Sequence, residues 1–230
     1  MIKKETIKTF VVVLAGGLGS RFDTNLPKQF SLIDSIPVFI HTLKKFYDYK
    51  VILTIPEEYK TLTYEYLMRY NFKNVAFVSG GETRQKSVLN ALTFIDRYYN
   101  CENVVITDAC RPCIKKKTIE KGINYLNEYK GVVAVTKTVN TVSLSYKGEV
   151  LNHILNRTPM YDLLMPQFFR FNDIYELHKN TVQKNATDDA QLLLRHGGVV
   201  KLLKISLWEG IKLTNPEDKK IMEFLLKEEK

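Results

Sequence analysis

Short runs rich in valine, isoleucine and phenylalanine alternate along the chain with stretches whose apolar residues recur every three or four positions. The runs at 9–14, 50–55, 74–78, 103–107, 131–136 and 199–205 are nearly continuous in apolar residues, the pattern of strands covered on both faces. The helical spacing falls at 37–47, 57–70, 83–98, 117–129, 174–179, 187–195 and 216–227. This alternation predicts an α/β fold, a mostly parallel sheet flanked by helices. Between 138 and 156 the pattern becomes alternating polar and apolar around Lys147-Gly148, which predicts a protruding hairpin arm. Asn215 before Pro216 has the form of a helix start, and Thr187 is expected to cap its own helix in the same way. With no repeat, linker or low-complexity stretch, residues 1–230 are expected to form a single domain, with 138–156 as its arm.

Composition narrows the classes. No apolar run approaches the roughly 20 residues that a membrane helix needs, so no membrane partner is expected. The apolar stretch 10–14 is too short for the core of a signal peptide. Three cysteines are an odd, sparse set, and the expected location is therefore a reducing cytoplasm. Cys110 and Cys113 form a lone CxxC without a second pair to complete a zinc site, and buried thiols are the simpler expectation. A formal charge of +9 would attract polyanions. The lysines are scattered rather than gathered into a stripe with stacking aromatics, so the expected partners are phosphorylated metabolites and not nucleic acid.

The chemistry concentrates in Leu14-Ala15-Gly16-Gly17-Leu18-Gly19-Ser20-Arg21, directly after the first predicted strand, with Pro27-Lys28-Gln29 following. Glycines let backbone N–H groups approach phosphate oxygens, and Arg21 and Lys28 can neutralise a triphosphate. The turn lacks the Gly-Lys-Ser/Thr ending of a P-loop and the spacing of the dinucleotide GxGxxG, so neither of those folds fits. Asp108 ends the predicted strand 103–107, where open parallel sheets place ligands. One carboxylate with triphosphate oxygens makes an ordinary Mg²⁺ site, so Mg²⁺ is the expected cofactor. Asp188 and Asp189 begin a helix, and their expected duty is stabilisation of its N-terminus rather than metal binding.

The stretch LAGGLGSRF followed by LPKQF resembles the signature of the cytidylyltransferases typified by IspD and TarI. Further motifs agree in order: Gly80-Gly81-Glu82-Thr83-Arg84-Gln85-Lys86-Ser87-Val88, Asp108-Ala109-Cys110-Arg111-Pro112, Arg157, Pro166-Gln167-Phe168, Thr187-Asp188-Asp189-Ala190 and Ile211-Lys212-Leu213-Thr214. The resemblance spans nearly the whole chain and implies a Rossmann-like nucleotidyltransferase fold that dimerises through its β-arm. It also implies transfer of CMP from CTP to a polyol phosphate, with release of pyrophosphate. Carried over by position, Ala15, Gly16, Gly17, Gly19 and Ser20 would hold the nucleotide, and Gly81, Glu82 and Ser87 would read cytosine. Arg21, Lys28 and Lys212 would be the catalytic cations, while Arg111, Thr141 and Arg157 would bind the acceptor. Charge compensation suits such a reaction, because an ionised phosphate monoester needs no protein nucleophile.

The acceptor is where the motifs diverge. Leu14-Ala15-Gly16-Gly17, Thr141-Val142-Ser143 and Tyr161 look more like the ribitol 5-phosphate enzymes, which makes ribitol 5-phosphate the expected acceptor. The segments 84–87 and 187–190 look more like the 2-C-methyl-D-erythritol 4-phosphate branch, and that acceptor is the alternative. Met165 and Gly210 depart from both patterns. A sugar-1-phosphate nucleotidyltransferase and a non-catalytic nucleotide-binding protein are the competing classes; base preference and turnover separate them.

Overall fold

The computed structural model describes residues 4–16, 26–181, 186 and 188–228. Its order begins with strand β1 (Glu5–Leu14), a 3-10 turn at Lys28–Phe30, a small hairpin of β2 (Leu32–Ile33) and β3 (Ile36–Pro37), helix α1 (Val38–Lys44) and β4 (Lys50–Ile55). Helix α2 (Lys60–Arg69), β5 (Val75–Ser79), α3 (Arg84–Tyr98), β6 (Tyr99–Asp108), α4 (Lys116–Tyr125) and β7 (Gly131–Lys137) follow. The chain continues through β8 (Ser143–Leu144), β9 (His153–Ile154), β10 (Tyr161–Arg170), α5 (Phe171–Asn180), α6 (Asp189–Arg195), β11 (Val200–Lys204) and α7 (Asp218–Glu228).

Seven strands form one sheet in the order β11-β7-β10-β6-β1-β4-β5. All neighbours are parallel except β10, which runs antiparallel to both β6 and β7. The mostly parallel α/β sheet expected from the sequence is therefore present, and the six predicted strands are all in it. The seventh, β10, is absent from the sequence prediction for a physical reason. Pro166 lies inside it, and proline cannot donate to a ladder. The strand tolerates it because the pairing with β7 shifts register between Leu163 and Gln167, where the ladder is already interrupted.

Alternate strand residues enter separate cores. Val11, Val13, Val51, Leu53 and Val105 pack beneath Phe39, Leu43, Leu67 and Ile119, so α1, α2 and α4 cover one face. Phe10, Val12, Ile52, Val104 and Ile106 pack beneath Val88, Leu92, Ile174 and Leu193, so α3, α5 and α6 cover the other. Each deeply buried strand residue of this kind contributes about 1.5–3 kcal/mol relative to exposure. A third cluster joins Ile33 of β2, Val38 of α1, Cys110, Cys113, Leu213 and α7, which holds the C-terminal segment against the end of β6. The two cysteine side chains serve as packing residues there.

Two predicted caps require correction. The N-cap of α6 is Asp188, whose carboxylate accepts from the Ala190 amide at 2.9 Å, while Thr187 lies outside the described residues. At α7 the side chain of Asn215 is not the cap. Asp218 reaches back instead, its Oδ2 accepting from the Thr214 and Asn215 amides at 2.8 Å each. The arm is present as the antiparallel pair β8–β9, with Gly148 in its loop at a φ of 79° that suits glycine. Among the described residues, no helix is long and apolar enough to cross a membrane.

Candidate active site

The chain pairs β1 with β4 on one side and with β6 on the other, so the crossover direction reverses beside the carboxyl end of β1. Open α/β sheets bind ligands at such a switch point. Local hydrogen bonds hold the strand ends together there: Ala15 donates to the Thr54 carbonyl at 2.9 Å, and Ala109 donates to the Leu14 carbonyl at 2.9 Å. Leu213 donates to the Cys110 carbonyl at 2.9 Å, which draws residue 212 across the end of β6 from a hundred positions away.

A cavity of about 300 Å³ opens at this point. Ala15, Gly16, Lys28, Gly81, Glu82, Ser87, Asp108 and Lys212, all nominated from the sequence, line it together. Arg21, Gly17, Gly19 and Ser20 lie outside the described residues. Thr141 and Arg157 do not line the cavity; both are exposed in or beside the arm, and Arg157 donates to the Val139 carbonyl. Arg111 stands behind the wall rather than on it. Its guanidinium binds Asp108 through Nε at 2.9 Å and also donates to the Gly210 carbonyl, tying the 108–112 turn to the C-terminal segment.

The local sequence explains the pocket walls. Thr83 caps α3, its hydroxyl accepting from the Lys86 amide at 3.1 Å. The Ser87 hydroxyl then accepts from the Gly81 amide at 2.9 Å and donates to the Thr83 carbonyl at 3.1 Å, which folds the 80–83 loop back onto its helix. A side chain at Gly81 would meet Lys86 Cγ at 2.4 Å, so this close approach requires glycine. On the opposite wall the Gln29 amide donates to the Ala15 carbonyl at 2.7 Å and fixes the backbone where the glycine-rich turn departs.

The electrostatic centre is Asp108. Its Oδ2 lies 2.9 Å from Arg111 Nε and 3.0 Å from Lys212 Nζ. Burial pushes this carboxyl up, but the charges of Lys212 and Arg111 overrule it and hold the carboxyl well below the usual carboxylate range. The adjacent Cys110 thiol also lines the cavity, and burial pushes it up to about 12, which keeps it neutral.

The roles of Gln29, Arg84, Asp189 and His178 were not legible in the sequence. Gln29 was visible only as part of PKQF, and nothing local marked its bond to Ala15. Arg84 lines the cavity and pairs with Asp189 Oδ2 at 2.5 Å, and Asp189 Oδ1 lies 3.0 Å from His178 Nε2. Asp189 is thus a buried ion-pair partner rather than a simple helix-start charge. Burial opposes its ionisation, yet Arg84 and His178 bring its pKa down from 3.8 to about 2. Asp188 shifts the other way, raised by burial against the pull of its bond from Gln167, with the neighbouring Asp189 charge adding to the rise.

Comparison with known proteins identifies the family. The family model described as IspD, 2-C-methyl-D-erythritol 4-phosphate cytidylyltransferase, matches residues 9–228. Among curated relatives, the 2-C-methyl-D-erythritol 4-phosphate cytidylyltransferase of Clostridium beijerinckii is 33% identical over 229 residues, covering 94% of this chain and 97% of its own. The protein of the same name from Clostridium botulinum strain 657 is 32% identical over 218 residues, covering 92% and 94% respectively. The fold is shared with the Francisella tularensis IspD structure at a TM-score of 0.80 and 24% identity, covering 95% of this chain and 99% of that one. A 4-diphosphocytidyl-2C-methyl-D-erythritol synthase from Anaerococcus prevotii superposes at a TM-score of 0.79 and 24% identity, over 96% and 99% of the two chains. Matches of this extent and identity leave one assignment: the chain belongs to the IspD family and is an enzyme of the cytidylyltransferase class.

Proposed function

We propose that the chain transfers CMP from CTP to 2-C-methyl-D-erythritol 4-phosphate, releasing pyrophosphate. The observation that supports the reaction is the convergence of Lys28, Lys212 and Asp108 on one cavity beside the 80–87 loop. The acceptor is supported by the names of four clostridial relatives, each a 2-C-methyl-D-erythritol 4-phosphate cytidylyltransferase, which favour this alternative over ribitol 5-phosphate. Of the positions that suggested ribitol, only Leu14 to Gly16 touch the cavity among the described residues.

In this mechanism the acceptor phosphate oxygen attacks the α-phosphorus of CTP, and negative charge builds on the transferring group and on the leaving pyrophosphate. Lys28 and Lys212 both line the cavity and would share that charge. The 80–83 loop, held by Ser87, presents backbone groups and Glu82 to cytosine. Arg21 would join the cations from the glycine-rich turn.

Asp108 would hold Mg²⁺, and its ionised carboxylate fits a hard cation. No cluster of three acidic, histidine or cysteine residues lies near it among the described residues, so the fit is to an ion carried in on triphosphate oxygens. Held by Asp108 in this way, Mg²⁺ would supply charge neutralisation at the phosphates.

We also take residues 1–230 as one catalytic unit, since Lys212 completes a cavity begun at Leu14. Its arm exposes Val139, Tyr146, Val150, Leu151 and Ile154 at 60% or more, which supports a homodimer in which Thr141 and Arg157 reach a neighbouring cavity. Three sparse cysteines that serve largely as packing residues fit a cytoplasmic setting. The test is pyrophosphate release from each nucleoside triphosphate with Mg²⁺ and both polyol phosphates. Release only with CTP and methylerythritol phosphate is expected, and faster release with ribitol 5-phosphate would overturn the acceptor assignment.

A further inference from the structure

Behind the cavity wall lies a second polar cluster that the reaction above does not use. Arg84 opens α3, Asp189 opens α6 and His178 lies near the end of α5, so three helices converge on one carboxylate. Asp189 and His178 have side chains exposed by only 1% and 0%, whereas Arg84 is 26% exposed and reaches the cavity. Further bonds lock the frame: Gln167 Nε2 donates to Asp188 at 2.5 Å, and the Ala186 amide donates to Gln85 at 3.1 Å.

Stability alone does not account for this arrangement. Packed hydrophobic residues commonly equal or exceed a buried ion pair in stability, because desolvating two charges costs several kcal/mol each. A buried carboxylate bonded on both oxygens does, however, hold a guanidinium in one orientation. Arg84 Nη1 is also buried and has no hydrogen-bond partner among the described residues, and the cavity that the side chain lines holds Lys28 and Lys212 beside Glu82 and an Asp108 already paired with Lys212 and Arg111. Such a site suits an anion, and guanidinium groups bind phosphate with directed, charge-assisted bonds.

We propose that Arg84 contacts the donor nucleotide, and that Asp189, backed by His178, is a positioning residue that fixes the Arg84 guanidinium toward the polyphosphate. The inference rests on the nucleotide cavity assigned above, but it adds a cation that acts on CTP rather than on the acceptor. Asp189 acts only through Arg84, so losing either should have nearly the same effect on nucleotide binding.

The experiment is a double-mutant cycle read by calorimetric CTP binding and by steady-state kinetics, with Arg84→Met, Asp189→Asn and the double variant. Arg84→Met and Asp189→Asn should each weaken CTP roughly tenfold, the loss of one charge-assisted bond. The double variant should bind no more weakly than Arg84→Met, and KM for the acceptor should stay within about twofold. Additive losses in the double variant, unchanged CTP affinity in Arg84→Met, or an equal rise in both KM values would overturn the proposal. If Asp189→Asn does not fold, His178→Leu replaces it in the same cycle with the same expectation, and His178→Gln, which retains an N–H donor, should restore CTP affinity. Wild-type protein that binds no CTP would refute the cytidylyltransferase mechanism itself, whereas tight wild-type binding with indifferent variants would refute only the role of Arg84.

Discussion

Replacing Lys212 by methionine separates charge from packing. Methionine keeps the apolar stem and removes only the ammonium group. The lost ion pair spans 3.0 Å to Asp108 Oδ2, but the lysine side chain is 39% exposed and Asp108 keeps Arg111 at 2.9 Å. A pair this open to water contributes about 0.2–1 kcal/mol, and no charge is left uncompensated. At about 2–4 °C per kcal/mol for a chain of this size, the melting temperature should fall by no more than about 4 °C. Turnover should respond far more. One oriented charge donor at a reacting phosphate is worth about 3–4 kcal/mol of barrier, so kcat should drop by about 10²–10³. The assay is continuous pyrophosphate release at saturating CTP and acceptor, beside a thermal melt of the same preparation. If kcat stays within about tenfold of wild type while only KM rises, the lysine binds the ground state, and the transition-state charge assigned to it is wrong.

Three other outcomes follow from the same geometry. Ser87→Ala strands the Gly81 amide that now donates at 2.9 Å, so KM for CTP should rise by up to about tenfold; a change confined to the acceptor's KM would contradict the assignment of this loop to the nucleotide. Gly122→Ala in α4 places a methyl group 2.3 Å from Phe168 Cζ in the core, which should cost about 1–3 kcal/mol and several degrees of melting temperature; an unchanged melt would show that the helix can shift freely against β10. Asp108 and Asp189 both titrate below the ordinary 3.8, so their contribution to stability is complete above that pH and is lost as pH falls toward about 2 for Asp189. Melts recorded from pH 7 downward should therefore decline steeply below about pH 4, and a melting temperature that rises on acidification would refute the ion-pair network.

Continuous apolar runs between amphipathic stretches already specified the layered α/β architecture, because they leave a chain few ways to bury both sets of faces. The local chemistry was equally legible. Gly81, Thr83 and Ser87 shape one loop within seven residues, and Asp108 and Arg111 pair across a single turn, so their contacts follow from short spacing. The remaining contacts arise only on folding, since they are long-range and leave no local period. Strand β10 was hidden by Pro166 and by a register shift that exists only once β7 is beside it. Lys212 reaches Asp108 because a backbone bond from Leu213 to Cys110 folds the C-terminal segment over β6. Arg84 and Asp189 are 105 positions apart and meet because α3 and α6 cover the same face of the sheet, where a buried carboxylate requires a cation and takes the one that packing supplies.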